Sequence, residues 1–376
     1  MYKLRKLLAA VLALLMICSC ETCLAGSYVL PSSVTKLDEE AFSGNTLLTD
    51  ITLQSGVTSI GSKCFYGCSN LYRIRIPNTV TSIAEDCLTG CLSDLVIQTT
   101  PGSYAMKWAR DHHADFQANT KYRAFLVGQT YDGEGEDVEL AGPLNDAKAL
   151  EKCLLKADGT AYTTKIGHDL TASGILSGID SAFGTAQDQD VSLFYYSGHG
   201  TSDGDLCGIR DTYVSPAKLR QKLDQIKGRK IIILDCCYSG YFISSQSGTM
   251  TRAKDGKAGS SADFVNSFMS AFYGQKGTAD DYNRYYIIAA SADDEYSWET
   301  WIGQYPSGLF TAYLVKGLGY SVWNASYTGM LADTNNSGAV TLREAYQYVK
   351  KETGDSKQHV QAFPSDCDWM SIIRAR

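Results

Sequence analysis

Val191-Ser192-Leu193-Phe194-Tyr195-Tyr196-Ser197-Gly198-His199-Gly200 and Lys230-Ile231-Ile232-Ile233-Leu234-Asp235-Cys236-Cys237-Tyr238-Ser239-Gly240 share one grammar: an apolar run, then small and polar residues. Val191–Tyr196 and Lys230–Leu234 are apolar almost throughout, the pattern of strands buried on both faces. Tyr122–Val127 and Tyr285–Ala290 have the same texture. Helical stretches are read around them at Asn145–Leu155, Ala172–Phe183, Pro216–Ile226, Leu309–Gly317 and Leu342–Lys351. Ser215 followed by Pro216 is a good helix start, a capping hydroxyl and then proline where no amide donor is needed. Strands alternating with helices predict an α/β domain over residues 120–376, a mostly parallel sheet flanked by helices. Sites in such sheets form beyond the carboxyl ends of the strands. There the first run delivers His199 between two glycines and the second delivers Cys236-Cys237. A thiol nucleophile needs an imidazole close enough to manage its proton, and two strand ends supply that without sequence adjacency.

Residues 29–116 follow another rule. Val34, Val57 and Val80 recur at a spacing of 23, as do Leu37, Ile60 and Ile83, then Phe42, Phe65 and Leu88. One such unit cannot bury its apolar face alone, so the units must stack into a solenoid. Cys64 then lies over Cys87 and Cys68 over Cys91, stacked in the core rather than paired across it. Tyr104–Ala109 reads as an amphipathic closing helix. The array resembles the BspA-like leucine-rich repeats of bacterial surface proteins, which implies either a spacer or a module with a protein or surface ligand.

The chain has 376 residues, enough for two domains, with a 44% hydrophobic and a 20% charged share that are ordinary for a folded protein. A net charge of -7 argues against a nucleic-acid role, which usually needs a basic face. Residues 1–25 read as a signal peptide: Lys3, Arg5 and Lys6, an apolar run from Leu7 to Ile17, then Cys23-Leu24-Ala25. That run is too short to span a bilayer and no second one approaches the length, so the expectation is a secreted or cell-surface protein that does not span a membrane. Lipid anchoring at Cys20 is the alternative to release. Three of the twelve cysteines lie in this segment and the rest show no framework spacing, so most are expected to be buried thiols.

Tyr196-Ser197-Gly198-His199-Gly200 followed by Asp235-Cys236-Cys237-Tyr238-Ser239-Gly240 resembles the caspase-like and metacaspase-like cysteine peptidases. Leu140–Asp146, Tyr286–Ala292 with Glu295, and Gly308–Thr311 are similar to other segments of that family. The resemblance implies a caspase–haemoglobinase fold and a cysteine endopeptidase with Cys237, the residue before the Tyr-Ser-Gly run, as nucleophile. It implies His199 as the proton-handling partner, and the backbone amides of Gly200 and Cys237 as an oxyanion hole. It also carries over a first specificity pocket made by Asp146, Ser197 and Asp235. Two carboxylates hold a guanidinium or ammonium and reject an aspartate, so protein or peptide substrates with Arg or Lys before the cut are expected.

No cofactor is required for that chemistry. Calcium is left open: Asp333, Asn335, Ser337, Ala339, Thr341 and Glu344 occupy the ligand positions of an EF-hand loop, while Thr341 with Glu344 also reads as a helix capping box. The Ser-, Gly- and Ala-rich stretch Ser244–Ala262 reads as an exposed loop, with Arg252, Lys254 and Lys257 as points of self-cleavage in a zymogen. Two alternatives remain, a surface-binding repeat protein with a caspase-like scaffold, and a clostripain- or gingipain-like peptidase.

Overall fold

The computed structural model describes residues 26–92, 95–100, 103–112, 115–117, 120–201, 204–238, 241–243, 250–252, 284–290, 297, 299–302, 305–354, 359–363, 367 and 370–375. The signal segment, Lys254 and Lys257 lie outside them. The chain divides into two units between residues 119 and 120.

In the first unit Ser27–Val29, Asp50–Thr52, Arg73–Arg75, Val96–Gln98 and Asp115–Gln117 form a five-stranded parallel sheet. Lys36–Leu37, Ser59–Ile60 and Ser82–Ile83 form a second, three-stranded one. Ile51, Ile74 and Ile97 share one rung of the ladder and are fully buried, so the sequence repeat is the structural repeat. The helix Tyr104–Asp111 closes the core with Ala105, Met106, Trp108 and Ala109, running two residues past its expected end. Cys64, Cys68 and Cys87 are buried in that core, and burial pushes the Cys64 and Cys91 thiols up to about 12. Asp50 is buried too, and its carboxylate is neutralised by Arg73 and by Arg75 Nη1 at 2.7 Å, both from the next repeat.

Among the described residues, the second unit is built on a sheet with six strands in its main path, β1 Tyr122–Gly128, β2 Thr163–His168, β3 Val191–Gly200, β4 Arg229–Tyr238, β5 Tyr285–Ala289 and β6 Gln361–Phe363, and two short antiparallel strands, Leu206–Gly208 and Thr212–Val214, attached to β3. The order of the six is β2-β1-β3-β4-β5-β6, parallel except for the antiparallel last pair. The helices among the described residues are α1 Pro143–Lys156, α2 Ala172–Phe183, α3 Pro216–Asp224, α4 Leu309–Leu318 and α5 Leu342–Thr353. Alternate residues of each strand serve opposite faces. Leu193, Tyr195, Ile231 and Ile233 pack with α1, α4 and α5, whereas Phe194, Tyr196, Ile232 and Leu234 pack with α2 and α3. At Gly178 of α2, a Cβ atom would stand 2.2 Å from Phe125 of β1, so a side chain there would force the helix off the sheet. Among the described residues, no helix is long and apolar enough to cross a membrane.

Three expectations change. β3 and β4 do not stop at Tyr196 and Leu234; the ladder runs on to Gly200 and Tyr238, so His199 and Cys237 are strand residues rather than loop residues. Small polar residues looked like strand ends, but the side chains of Ser197 and Asp235 find hydrogen-bonding partners inside the unit and do not break the sheet. The polar strand β2 was missed because it is an edge strand with several exposed positions. Within the stretch expected to be a plain loop, Met250–Arg252 is a strand that pairs antiparallel with Tyr241–Ile243.

Candidate active site

β3 and β4 pair in register from Val191 with Arg229 to Gly200 with Tyr238, which puts His199 and Cys237 on one rung. Ser197 and Asp235 share the rung two residues earlier. Gly200, whose amide was expected in the oxyanion hole beside that of Cys237, is the next residue along β3. Cys236 is buried and packs in the apolar layer under α2 and α3. It is therefore walled off from the face that Asp235 serves.

The imidazole of His199 is also buried. Its Nε2 lies 2.9 Å from the carbonyl oxygen of Val138, which can only accept, so Nε2 carries the proton. Nδ1 is then left with its lone pair, and among the described residues it has no hydrogen-bond partner. Burial pulls the pKa of His199 below its ordinary 6.5, and the Val138 carbonyl offsets part of that. The ring is thus a neutral base with one free nitrogen, able to take a proton from a thiol and return it to a leaving amine. Tyr131 stands against it, with ring centroids 4.8 Å apart, and the backbone N–H of His199 donates to the Tyr131 hydroxyl at 2.9 Å. Tyr196 Oη donates to the His199 carbonyl at 2.6 Å.

Asp146, Ser197 and Asp235 are brought together. Asp146 sits in the first turn of α1, where the helix dipole favours a carboxylate. It accepts from Ser197 Oγ at 3.2 Å, from the Gly308 amide at 3.0 and 3.1 Å, and from Ser307 Oγ. Asp235 accepts from Ser297 Oγ at 2.9 Å and from the Thr311 amide at 3.1 Å and hydroxyl at 2.5 Å. Gly308 lies between the two: a Cβ there would meet Asp235 Oδ2 at 2.3 Å and Asp146 Oδ2 at 3.2 Å. Only glycine lets the strand pass so close to both. Burial raises both carboxylates above the usual range, and for Asp146 the charge of Asp235 adds to it. A third carboxylate, Glu299, accepts from the Gly142 amide at 3.0 Å beside the start of α1 and is raised by burial and then by Asp235. Two carboxylates, with Glu299 as a third nearby, thus stand at one place held by hydroxyls and amides, an arrangement whose charge is open to a cationic group.

In the loop 333–344, each carboxylate oxygen already has donors. Asp333 accepts from the Ser337 and Gly338 amides at 2.9 Å each. Glu344 closes the capping box with Thr341 and also accepts from the Thr334 amide at 3.1 Å. Asn335 accepts from the Ser337 amide at 2.9 Å, and Ala339 belongs to a strand pairing with Ser371–Arg374. A calcium ion bound here would share or displace these donors.

Residues 121–359 match the caspase domain family. The chain belongs to that family. Residues 19–103 match the BspA-type leucine-rich repeat region in six copies, twice the number of full units the period suggests. Metacaspase-8 of Arabidopsis thaliana is 30% identical over 146 residues, covering 32% of this chain and 38% of the relative, so the chain spans well under half of that protein's length. A crystal structure of a Geobacter sulfurreducens protein is 17% identical, with a TM-score of 0.41 over 65% of this chain and 92% of the other. The second unit is accordingly a caspase-family domain, and the first carries BspA-type leucine-rich repeats.

Sequence reasoning missed Tyr131, Val138, Glu299, Ser307 and Thr311. Tyr131 and Val138 act through a ring contact and a carbonyl that no motif encodes, and Gly308–Thr311 was noticed without its role. The neutral ring is the form able to take a proton and burial lowers its pKa, so an activity that uses this base should persist as pH falls through 6.5 and be lost only below it. The acid limb of kcat at saturating substrate is the measurement; a midpoint above 6.5 would contradict this environment.

Proposed function

We propose that the protein is a secreted or cell-surface cysteine endopeptidase that cuts peptide bonds after Arg or Lys, with Cys237 as nucleophile and His199 as its base. The observation that carries this reading is the shared rung of His199 and Cys237 two residues beyond a buried pair of carboxylates. In the proposed mechanism the substrate's guanidinium or ammonium enters between Asp146 and Asp235. His199 Nδ1 takes the thiol proton and the thiolate attacks the scissile carbonyl. The backbone amides of Gly200 and Cys237 receive the oxyanion, and the imidazolium then protonates the leaving amine. Water, deprotonated by the same nitrogen, hydrolyses the thioester. The repeats are proposed to hold the enzyme on a protein or surface ligand.

Burial raises both carboxylates, and the charge of Asp235 raises Asp146 further, so a bound cation would favour their charged forms. Binding of a basic side chain is therefore proposed to release protons and to tighten as pH rises.

For the nucleophile, Cys237→Ala should abolish turnover of an Arg peptide by several orders of magnitude, because the covalent intermediate is lost. Cys236→Ala, a truncation in the apolar layer, should keep a substantial fraction of activity. The reverse result would reassign the nucleophile.

For the pocket, Arg and Lys peptides should be cleaved and Asp peptides refused. Asp146→Ala or Asp235→Ala should lower kcat/KM for the Arg peptide by about 2 kcal/mol, roughly 30-fold, or more. Equal turnover of Arg and Asp peptides would rule the pocket out.

Self-processing is proposed at Arg252, Lys254 or Lys257, between β4 and β5. Arg252 pairs with Tyr241, so a cut there requires that the hairpin open first. Intact-mass analysis of wild type beside Cys237→Ala should show two fragments only in the wild type. A fully active chain that stays whole would show that activity needs no cut.

A further inference from the structure

Both contacts that orient the His199 ring come from one segment, residues 130–140: Tyr131 stacks on the ring and Val138 accepts from Nε2. That segment has no regular secondary structure of its own. It leaves β1 and is tied at its base by a residue two strands from the nucleophile. Asp169, directly after β2, accepts from three consecutive amides: Thr130 at 2.7 Å and Tyr131 at 2.9 Å on Oδ1, and Asp132 at 3.1 Å on Oδ2. Its Oδ2 also accepts from the Thr130 hydroxyl at 3.0 Å, and that hydroxyl accepts from His168 Nε2 at 2.7 Å. Burial pulls the Asp169 carboxyl up, but these donors outweigh it and the pKa falls below the ordinary value, so the clamp is charged.

Tyr131 needs a clamp. Its φ of 60° lies in the left-handed region, which a bulky residue adopts only when its surroundings force it. In that conformation its side chain turns back under the sheet, where the hydroxyl donates to the Cys207 carbonyl at 3.0 Å and accepts the His199 amide. The far end of the segment is tied as well, since the Leu140 amide donates to the Thr130 carbonyl at 2.9 Å. One carboxylate thus fixes both supports of the ring without touching it.

We propose that Asp169 is a positioning residue for catalysis, which sets the tautomer and orientation of the His199 imidazole through the clamped segment that carries Tyr131 and Val138. The proposal rests on the reading of His199 as the base. Charged and titratable groups facing that ring and its supports are Tyr131, Tyr196, Cys207 and Cys236 within the fold, with Asp132 and His168 beside the clamp.

Asp169→Ala, Asp169→Asn, Tyr131→Phe and His199→Ala are compared with wild type on an Arg peptide. Releasing the segment lets the ring misalign by a fraction of an ångström to an ångström, so Asp169→Ala should lower kcat about 100-fold while KM stays within about threefold. Water would reach the ring, so the acid limb of kcat should move up toward 6.5. Asp169→Asn keeps one acceptor oxygen for the Thr130 and Tyr131 amides and should recover much of kcat. Tyr131→Phe removes a single oxygen, so it should reproduce a kcat loss in a chain that still folds, at some cost in melting temperature, even where Asp169→Ala folds poorly. If Asp169→Ala and Tyr131→Phe lower the melting temperature but leave kcat and the acid limb unchanged, the clamp is structural only and the inference fails. If His199→Ala itself retains activity, the reading of the site has failed instead, and the two failures are distinguishable.

Discussion

Everything at the site depends on the register between β3 and β4. Ten consecutive residues of each strand pair, and the last rungs hold Ser197 against Asp235 and His199 against Cys237. A slip of one residue would send each side chain to the opposite face of the sheet. Asp235 would then leave Asp146 and Thr311 for an apolar layer, at the cost of an unsatisfied buried charge. The apolar alternation Ile231, Ile233 against Ile232, Leu234 makes the same slip costly along the whole strand, because each face has its own helices to fill. Core packing and catalytic geometry are therefore one constraint.

The carboxylate pair works against stability. Two acids 1% and 4% exposed raise each other's cost, and burying a charge is tolerated only with good partners. Here the partners are dipoles rather than a counter-charge: Ser197, Ser307 and the Gly308 amide for one, Ser297 and Thr311 for the other. Dipoles hold the acids in place without a counter-charge, which suits the proposed receptor better than a built-in arginine would. Asp50 in the repeat unit makes the contrast, since there two arginines neutralise an equally buried acid and the result is a structural lock. Tyr195 follows the same logic as the receptor: burial first, then the two acids, keep its hydroxyl protonated, and it pairs with Thr311 at 2.7 Å.

Much of this was legible in the sequence, for definite reasons. Buried parallel strands announce themselves as unbroken apolar runs, so β1, β3, β4 and β5 were found, and the 23-residue period announced the solenoid. What failed was the inference that polarity ends a strand: Ser197, Asp235 and Cys237 continue a ladder whose polar residues are satisfied by groups distant in sequence. The edge strand β2 carries no apolar run because only part of it is covered. Asp146 and Asp235 came from a motif, but their closeness depends on Gly308, a residue 162 positions from Asp146 whose role is visible only as a missing Cβ. Val138 contributes a carbonyl, and a carbonyl leaves no trace in residue identity.

Two kinds of precision meet at His199. The sheet fixes where its backbone lies, through a rung shared with Cys237 and, by way of Tyr196, a hydrogen bond to its own carbonyl. The sheet cannot fix how the ring turns, because rotation about the side-chain bonds is independent of the ladder. That task falls to an irregular segment, and irregular backbone is ordinarily the least rigid part of a fold. Asp169 reconciles the two by turning three successive amides into one clamp, so that a loop acquires the definition of a strand where the chemistry needs it. A helix in the same place would have consumed those amides and the Val138 carbonyl internally, and left nothing to hold Nε2. The loop is irregular because its backbone groups are needed as ligands for a side chain.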